Sequence, residues 1–221
     1  MSKIILAIDS SIDCCSVALY KNKKIFSISE ICKKKHTIQI LPMIQKILNQ
    51  NQITCKELNY ISFSKGPGNF TGIRIAASVA HSLSISLKIP IIAISTLAIM
   101  AEKAWRKYKK KYIIVAINAK KTEVYWAKYI RTSQSTWIGE DTESLININL
   151  IKNQINNLKK NWTFIGNGWE NIKNQNILDI NKFKFFFPNA KDIIPFVLLK
   201  IKTLQISCLK NSQINYLYNN F

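Results

Sequence analysis

The chain has 221 residues, 48% hydrophobic and 20% charged, and its 32 Lys and Arg against 12 Asp and Glu set a formal charge of +20. That length and apolar content exclude wholesale disorder and allow one large domain or two small lobes, each with a real core. No apolar run reaches the ~18 residues needed to cross a bilayer, and Asp9 and Asp13 interrupt the N-terminal stretch where a signal peptide would need an unbroken apolar core.

The first hundred residues read as an ordered series. Lys3–Asp9 (KIILAID) is a short apolar run ending at Asp-Ser-Ser, a buried strand followed by a turn. Cys15–Tyr20 and Lys24–Ile31 alternate as two further strands, with Lys21-Asn22-Lys23 suited to the hairpin between them. From Thr37 to Asn51 the apolar positions recur at helical spacing, and Asn59–Ser64 is another strand. Gly66–Gly72 is a glycine loop, Ile73–Leu87 a helix, Pro90–Ile94 a strand and Thr96–Lys107 a helix. This β-β-β-α-β-α-β-α order predicts a mixed sheet with helices on its faces, the pattern of a ribonuclease-H-like lobe.

The basic stretch Lys103–Lys111 marks the expected boundary between a first lobe, residues 1–107, and a second, residues 108–221. Tyr112–Asn118 and Glu123–Arg131 read as strands, Thr163–Gly166 as a strand entering the loop Gly166-Asn167-Gly168, and Ile193–Leu204 as a late helix. Beyond about Leu145 the pattern blurs, and no fixed-period repeat is visible.

The charge invites a nucleic-acid reading, but composition offers another cause. The chain holds 39 Ile, 29 Lys and 22 Asn and only three Arg. Ile, Lys and Asn share A/T-rich codons, so mutational bias raises Lys whatever the protein does. The lysines are spread along the chain, and nucleic-acid interfaces favour Arg for bidentate contacts. The five scattered cysteines fit a reducing cytosol better than a disulfide frame.

The segment KGPGNFTGIR (Lys65–Arg74) is the most informative. Strand, glycine loop and helix in that order place backbone N–H groups at a helix N-terminus, where anions are favoured. An anion or nucleotide loop would use Gly66, Gly68, Asn69, Thr71, Gly72 and Arg74, with Asp9 and Ser10 after the first strand. The spacing is neither a dinucleotide fingerprint nor a P-loop. The competing reading is a tight structural turn with Asn69 or Thr71 capping the helix, and a turn-capping Asp9.

Self-sufficient catalysis finds no constellation. His36 and His81 share no metal-ligand spacing, and no H-x-x-x-H, H-E-x-x-H or paired C-x-x-C occurs, so no metal site is expected. A G-x-S-x-G elbow is absent. Glu123, in a hairpin, is a minor catalytic candidate, and no catalytic residue is assigned.

The helices point elsewhere. Ile40, Leu41, Met43, Ile44, Ile47 and Leu48 cover more than the ~100°-wide stripe a helix needs against one sheet. The second helix carries small residues at Gly72, Ala76, Ala77, Ser78, Ala80 and Ser82, which permit close approach. Both helices are therefore expected to pack against another chain. The surface would comprise His36, Ile40, Leu41, Met43, Ile44 and Ile47 with Ile75, Ala76, Val79, Ser82 and Leu83. A thick core inside the lobe is the alternative.

These segments resemble the TsaB (YeaZ) family. ILAIDSS (Ile5–Ser11), HTIQILPMI (His36–Ile44), KGPGNFTGIRIA (Lys65–Ala76) and PIIAISTLAIMA (Pro90–Ala101) match in order, followed by EVYWAKY (Glu123–Tyr129) and GNGW (Gly166–Trp169). The match covers most of the first lobe and thins beyond about residue 140. In the glycine loop the family differs mainly by Ser where this chain has Asn69.

The resemblance implies an α/β fold of two ribonuclease-H-like lobes in the acetate-kinase/actin/heat-shock-protein-like (ASKHA) superfamily, the second degenerate. It implies an accessory subunit for threonylcarbamoyl modification of the adenosine beside the tRNA anticodon, not an enzyme itself. A TsaD-like paralogue would hold the metal and perform the transfer as a heterodimer partner, and a TsaE-like ATPase would join. ATP and metal would sit on those partners, with no cofactor on this chain, no membrane role and a cytoplasmic location. A homodimer in isolation is left open, and tRNA would be handled by the complex.

The family's usual Asp-Ala-Arg is here Asn118-Ala119-Lys120, and its terminal Pro-x-Tyr-Leu-Arg appears as Ile214-Asn215-Tyr216-Leu217-Tyr218. Two other functions remain open from the residues alone. One is a small-molecule kinase or ATPase using Asp9 and the glycine loop; the other is a direct tRNA-binding module acting through lysines.

Overall fold

Ile5–Asp9 (β1) is buried at every position, as a continuous apolar run should be in a strand covered on both faces. The computed structural model describes residues 3–32, 35–156, 158, 161–174, 183–203, 213–214 and 217. β1 leads into Cys14–Lys21 (β2) and Lys24–Ile31 (β3), an antiparallel meander. Asn22 and Lys23 both take positive φ, 49° and 62°, the turn geometry that matches strand twist in a two-residue hairpin.

The chain continues through His36–Gln50 (α1), Tyr60–Ser64 (β4), Phe70–Leu87 (α2), Ile91–Ile94 (β5) and Thr96–Tyr108 (α3). β4 lies parallel to β1 and β5 parallel to β4, giving the order β3-β2-β1-β4-β5. Leu6, Ile8, Val17, Leu19, Ile61 and Phe63 on one face of this sheet join α1 and α2 in one apolar cluster.

The chain divides into two compact units. The first is Met1–Ile99 with Pro188–Asn215, the second Met100–Phe187 with Tyr216–Phe221. The expected boundary after residue 107 thus moves back into α3. The late helix, Ile194–Lys202 (α6), belongs to the first unit and not the second. The reason is packing: the turn Ala190–Asp192 just before it lies on β1, β2 and β3, and the Ala190 amide donates to Ser16 Oγ at 2.9 Å. Leu204 and Tyr218 lie outside the described residues.

Two of the five cysteines come together in the first unit. Cys15 and Cys32 are joined as a disulfide, their Cα atoms 5.9 Å apart. β2 and the end of β3 bring them together, with the Cys32 amide donating to the Asp13 carbonyl at 2.8 Å.

The second unit reuses the order of the first. Tyr112–Lys120 (β6) and Glu123–Arg131 (β7) form an antiparallel hairpin, and Trp137–Ile138 (β8) and Ser144–Asn147 (β9) both pair with β7. After Ile151–Asn156 (α4), Thr163–Ile165 (β10) lies parallel to β6. Gly168–Asn174 (α5) then precedes Phe183–Lys184 (β11), parallel to β10. The sequence β8-β7-β6-β10-β11 repeats β3-β2-β1-β4-β5 in direction and connection. The core here is Ile114, Ala116, Val124, Trp126, Ile148, Ile151, Trp169 and Ile172.

This unit buries an ion pair. Glu102 of α3 and Arg131 of β7 are joined, their side chains 3% and 8% exposed. The carboxylate also accepts from Trp137 Nε1 at 2.8 Å, and the guanidinium lies 3.7 Å from the Trp105 ring centroid. Charges so buried persist because each has both a counter-charge and a further partner.

Candidate functional site

The turn after β1 and the glycine loop interlock. Asp9 is fully buried, and its Oδ1 accepts from the Ser11 amide at 3.1 Å and the Ser11 hydroxyl at 2.6 Å. The Asn69 amide donates to the Ser11 carbonyl at 2.7 Å, and the Ser10 hydroxyl donates to the Gly72 carbonyl at 2.7 Å. A Cβ on Gly68 would meet the Ser11 oxygen at 2.2 Å, and one on Gly72 the Ser10 oxygen at 2.0 Å. The glycines are therefore there for close approach of two backbone segments.

The helix start is also engaged. Asn69 Oδ1 accepts from the amides of Thr71 at 3.1 Å and Gly72 at 3.4 Å, filling the role an anion would take at these N–H groups. α2 begins at Phe70, so Thr71 and Gly72 are helical and the expected loop Gly66–Gly72 ends at Asn69. Arg74 is exposed, its guanidinium 3.7 Å from the centroid of the Phe70 ring one turn back. Gly66 is buried, and its carbonyl accepts from the Thr96 amide at 2.9 Å, tying the loop to the start of α3. Of the two readings of this loop, the geometry matches the structural turn.

The helix surface divides differently from the expectation. His36, Ile40, Met43, Ile44, Ile47 and Ala76 are buried within the unit, and all but His36 belong to its apolar cluster. This corrects their assignment to a partner surface: the apolar excess fills a thick core, because a second helix, α2, packs beside α1 on the same sheet. The His36 ring lies 2.9 Å, through Nε2, from the Ile12 carbonyl. Ile75, Val79 and Leu83 are half-buried at the margin of the cluster.

What α1 turns outward is Ile38 and Leu41, 72% and 56% exposed, one turn apart. On α2 the outward stripe runs Thr71, Arg74, Ser78, Ser82 and Ile85, flanked by Phe70, Ile75 and Val79. Phe70 and Ile85 are 58% and 66% exposed. Ile38, Phe70 and Ile85 were missed by sequence reasoning. For Ile38 and Ile85 the signal is spacing, since each lies out of phase with the dominant apolar stripe of its helix; Phe70 keeps that phase and is exposed as the first residue of α2.

In the second unit the structure explains two further motifs. Gly166 has φ +114°, and a Cβ there would meet the Ala116 oxygen at 1.9 Å. Trp169 is fully buried, its Nε1 donating to the Ile165 carbonyl at 3.0 Å, so GNGW seats the core tryptophan. Asn167 Oδ1 accepts from the Asn118 amide at 3.0 Å. Lys120 Nζ lies 3.5 Å from Glu123 Oε2, so that carboxylate sits beside a lysine at the hairpin end. Among the described residues no group of three or more His, Cys, Asp and Glu is placed to hold a metal ion.

A family model described as TsaD, tRNA N6-adenosine threonylcarbamoyltransferase, matches residues 26–209. The tRNA threonylcarbamoyladenosine biosynthesis protein TsaB of Buchnera aphidicola subsp. Acyrthosiphon pisum (strain APS) is 65% identical over 221 residues, covering 100% of both chains. The chain belongs to the TsaB family. TsaB of Escherichia coli (strain K12) is 33% identical over 219 residues, covering 98% of this chain and 95% of that one. The solved structure of YeaZ from Pseudomonas aeruginosa superposes with a TM-score of 0.84 at 26% identity, covering 97% of this chain and all of that one. The TsaB match thus extends through the second unit, where the sequence resemblance thinned, and the two-lobe ASKHA-like fold expected from it holds. No described helix is long and apolar enough to cross a membrane.

Proposed function

We propose that the chain is a non-catalytic subunit that pairs with a TsaD-like transferase in the threonylcarbamoyl modification of tRNA. A TsaE-like ATPase joins the assembly in the cytoplasm, and ATP and metal reside on those partners. The observation that carries this reading is the outward stripe of α2. Ser78 and Ser82 are small enough to let a partner helix approach closely, and Ile75, Val79 and Ile85 beside them supply apolar area. Leu41 and Ile38 on α1 add to it. Exposed apolar side chains of this kind mark an association surface. In the free chain the same stripe suits a second copy, giving a homodimer that the transferase displaces.

The test is gel filtration of the chain with its cognate transferase at micromolar concentration, alongside reconstituted tRNA modification. A stable heterodimer that Leu41→Lys with Ile85→Lys disrupts, together with modification that depends on the chain, is expected. No complex, or modification equal without the chain, would overturn the reading.

A further inference from the structure

The lysines are spread along the chain, but the second unit gathers a set of them onto aromatic rings. From 103 to 111 the chain holds Lys103, Arg106, Lys107, Lys109, Lys110 and Lys111, and no acidic residue occurs from 103 to 122. All of these but the half-buried Lys103 are exposed. Lys184 of β11 joins them, its Nζ 3.6 Å from the centroid of Tyr108. Lys109 Nζ lies 4.5 Å from the centroid of Trp105, and Lys103 Nζ 5.3 Å from that of Phe186. Tyr108 and Phe186 are themselves 6.4 Å apart. Next to them Phe185 leaves 42% of its surface exposed.

We propose that this surface, made by the end of α3, the turn Lys109–Lys111 and β11 with Phe185, binds the phosphate backbone of tRNA. The inference rests on the reading that the chain works in tRNA modification, and it names the contact that reading lacks. Codon bias raises the number of lysines, but it does not place ammonium groups over rings. A ring beneath a lysine holds the charged head in place by cation–π attraction, so less freedom is lost when a phosphate arrives. The nearest carboxylate in sequence, Glu102, is committed to Arg131 and Trp137. Lys109, Lys110 and Lys111 are exposed and adjacent, so their charges add to the local positive potential that a polyanion meets.

RNA fits this surface better than an acidic protein does. An acidic peptide has no use for the exposed Phe185 face, whereas a base or ribose stacks on it. A lysine ammonium meets phosphate as a point charge, a contact that positions the backbone without reading sequence. A subunit that serves many tRNAs needs that kind of contact.

The test uses an unmodified tRNA transcript with an adenosine beside the anticodon, titrated by fluorescence anisotropy across a series of salt concentrations. Both the chain and its complex with the transferase are measured. Replacing Lys109, Lys110 and Lys111 together by Ala should weaken binding about tenfold or more. The slope of log affinity on log salt should also shrink by about 2 to 3, since each phosphate contact contributes roughly 0.7–0.9. Phe185→Ala should weaken binding about fivefold or more with the slope unchanged, because stacking releases no counterions.

Complex formation should survive both changes. Unaltered affinity and slope in the triple variant overturn the proposal. So does loss of transferase pairing with tRNA affinity kept, which would make the patch a protein contact. If the wild-type chain forms no complex at all, the proposed function fails, and the titration of the chain alone still decides this surface.

Discussion

Ser10 and Gly72 meet through both the side chain and the backbone of Ser10: its hydroxyl donates to the Gly72 carbonyl at 2.7 Å, and its carbonyl occupies the place where a residue-72 side chain would begin. A Cβ there would lie 2.0 Å from that oxygen, and backbone on both sides leaves nothing flexible to yield. Gly72→Ala is expected to destabilise the first unit by about 2–4 kcal/mol through overpacking and the lost hydrogen bond. Urea unfolding measures it; a change below about 0.5 kcal/mol would show that the two segments can separate freely.

Asn69 caps α2 through Oδ1 to the amides of Thr71 and Gly72. Asn69→Ala should cost about 1 kcal/mol, and Asn69→Ser, which also caps well, should recover most of it. The same unfolding assay compares the two. Equal loss in both variants would mean that the side chain acts through something other than the cap.

The Glu102–Arg131 pair is held below a tenth exposure on both sides. Arg131→Met leaves a buried carboxylate with Trp137 Nε1 as its remaining donor among the described residues, and should cost about 3–5 kcal/mol. The double change Glu102→Leu with Arg131→Met should cost clearly less than the two single losses added. Strict additivity in unfolding free energies would argue that the two charges do not interact.

Glu57, at the end of the short turn Cys55–Glu57, accepts from the Thr54 amide at 2.7 Å and the Thr54 hydroxyl at 2.9 Å. The Thr54 amide first, and then its hydroxyl, hold the carboxyl below the ordinary glutamate value. A lowered folded-state value contributes stability that is present above the unfolded-state value and lost as pH falls through the folded one. Carboxyl-carbon NMR titration of Glu57 should find its midpoint below that of a model peptide. Thr54→Val should raise it, since the hydroxyl donor is gone.

The first lobe was legible because each of its elements carries its own local signature. β1 is a buried apolar run, the Asn22-Lys23 hairpin is a two-residue turn, and α1 and α2 keep helical spacing over four turns or more. The second unit was harder to read. β8 and β11 have two residues each and β10 has three, too short for any period to show. Trp169 was visible only as part of a motif; that it anchors a core with Trp126 and Phe164, at centroid distances of 5.5 and 4.7 Å, depends on strands brought together from far along the chain.

The sequence by itself determined the succession of strands and helices in the first lobe, the family resemblance and the place where the glycine loop falls. These are local properties, written in the alternation of side chains and in residues that tolerate close approach. Only the tertiary structure decided which apolar residues are spare. Ile40, Met43, Ile44 and Ile47 looked like surplus on α1 and proved to be core, while Ile38, Leu41 and Ile85 are left outside. A helix's periodicity says how many faces are apolar, but how much of that area the sheet and its neighbouring helix cover is fixed only when they pack. The lysines follow the same rule: their number is written in composition, and their gathering over Trp105, Tyr108 and Phe186 comes from the fold.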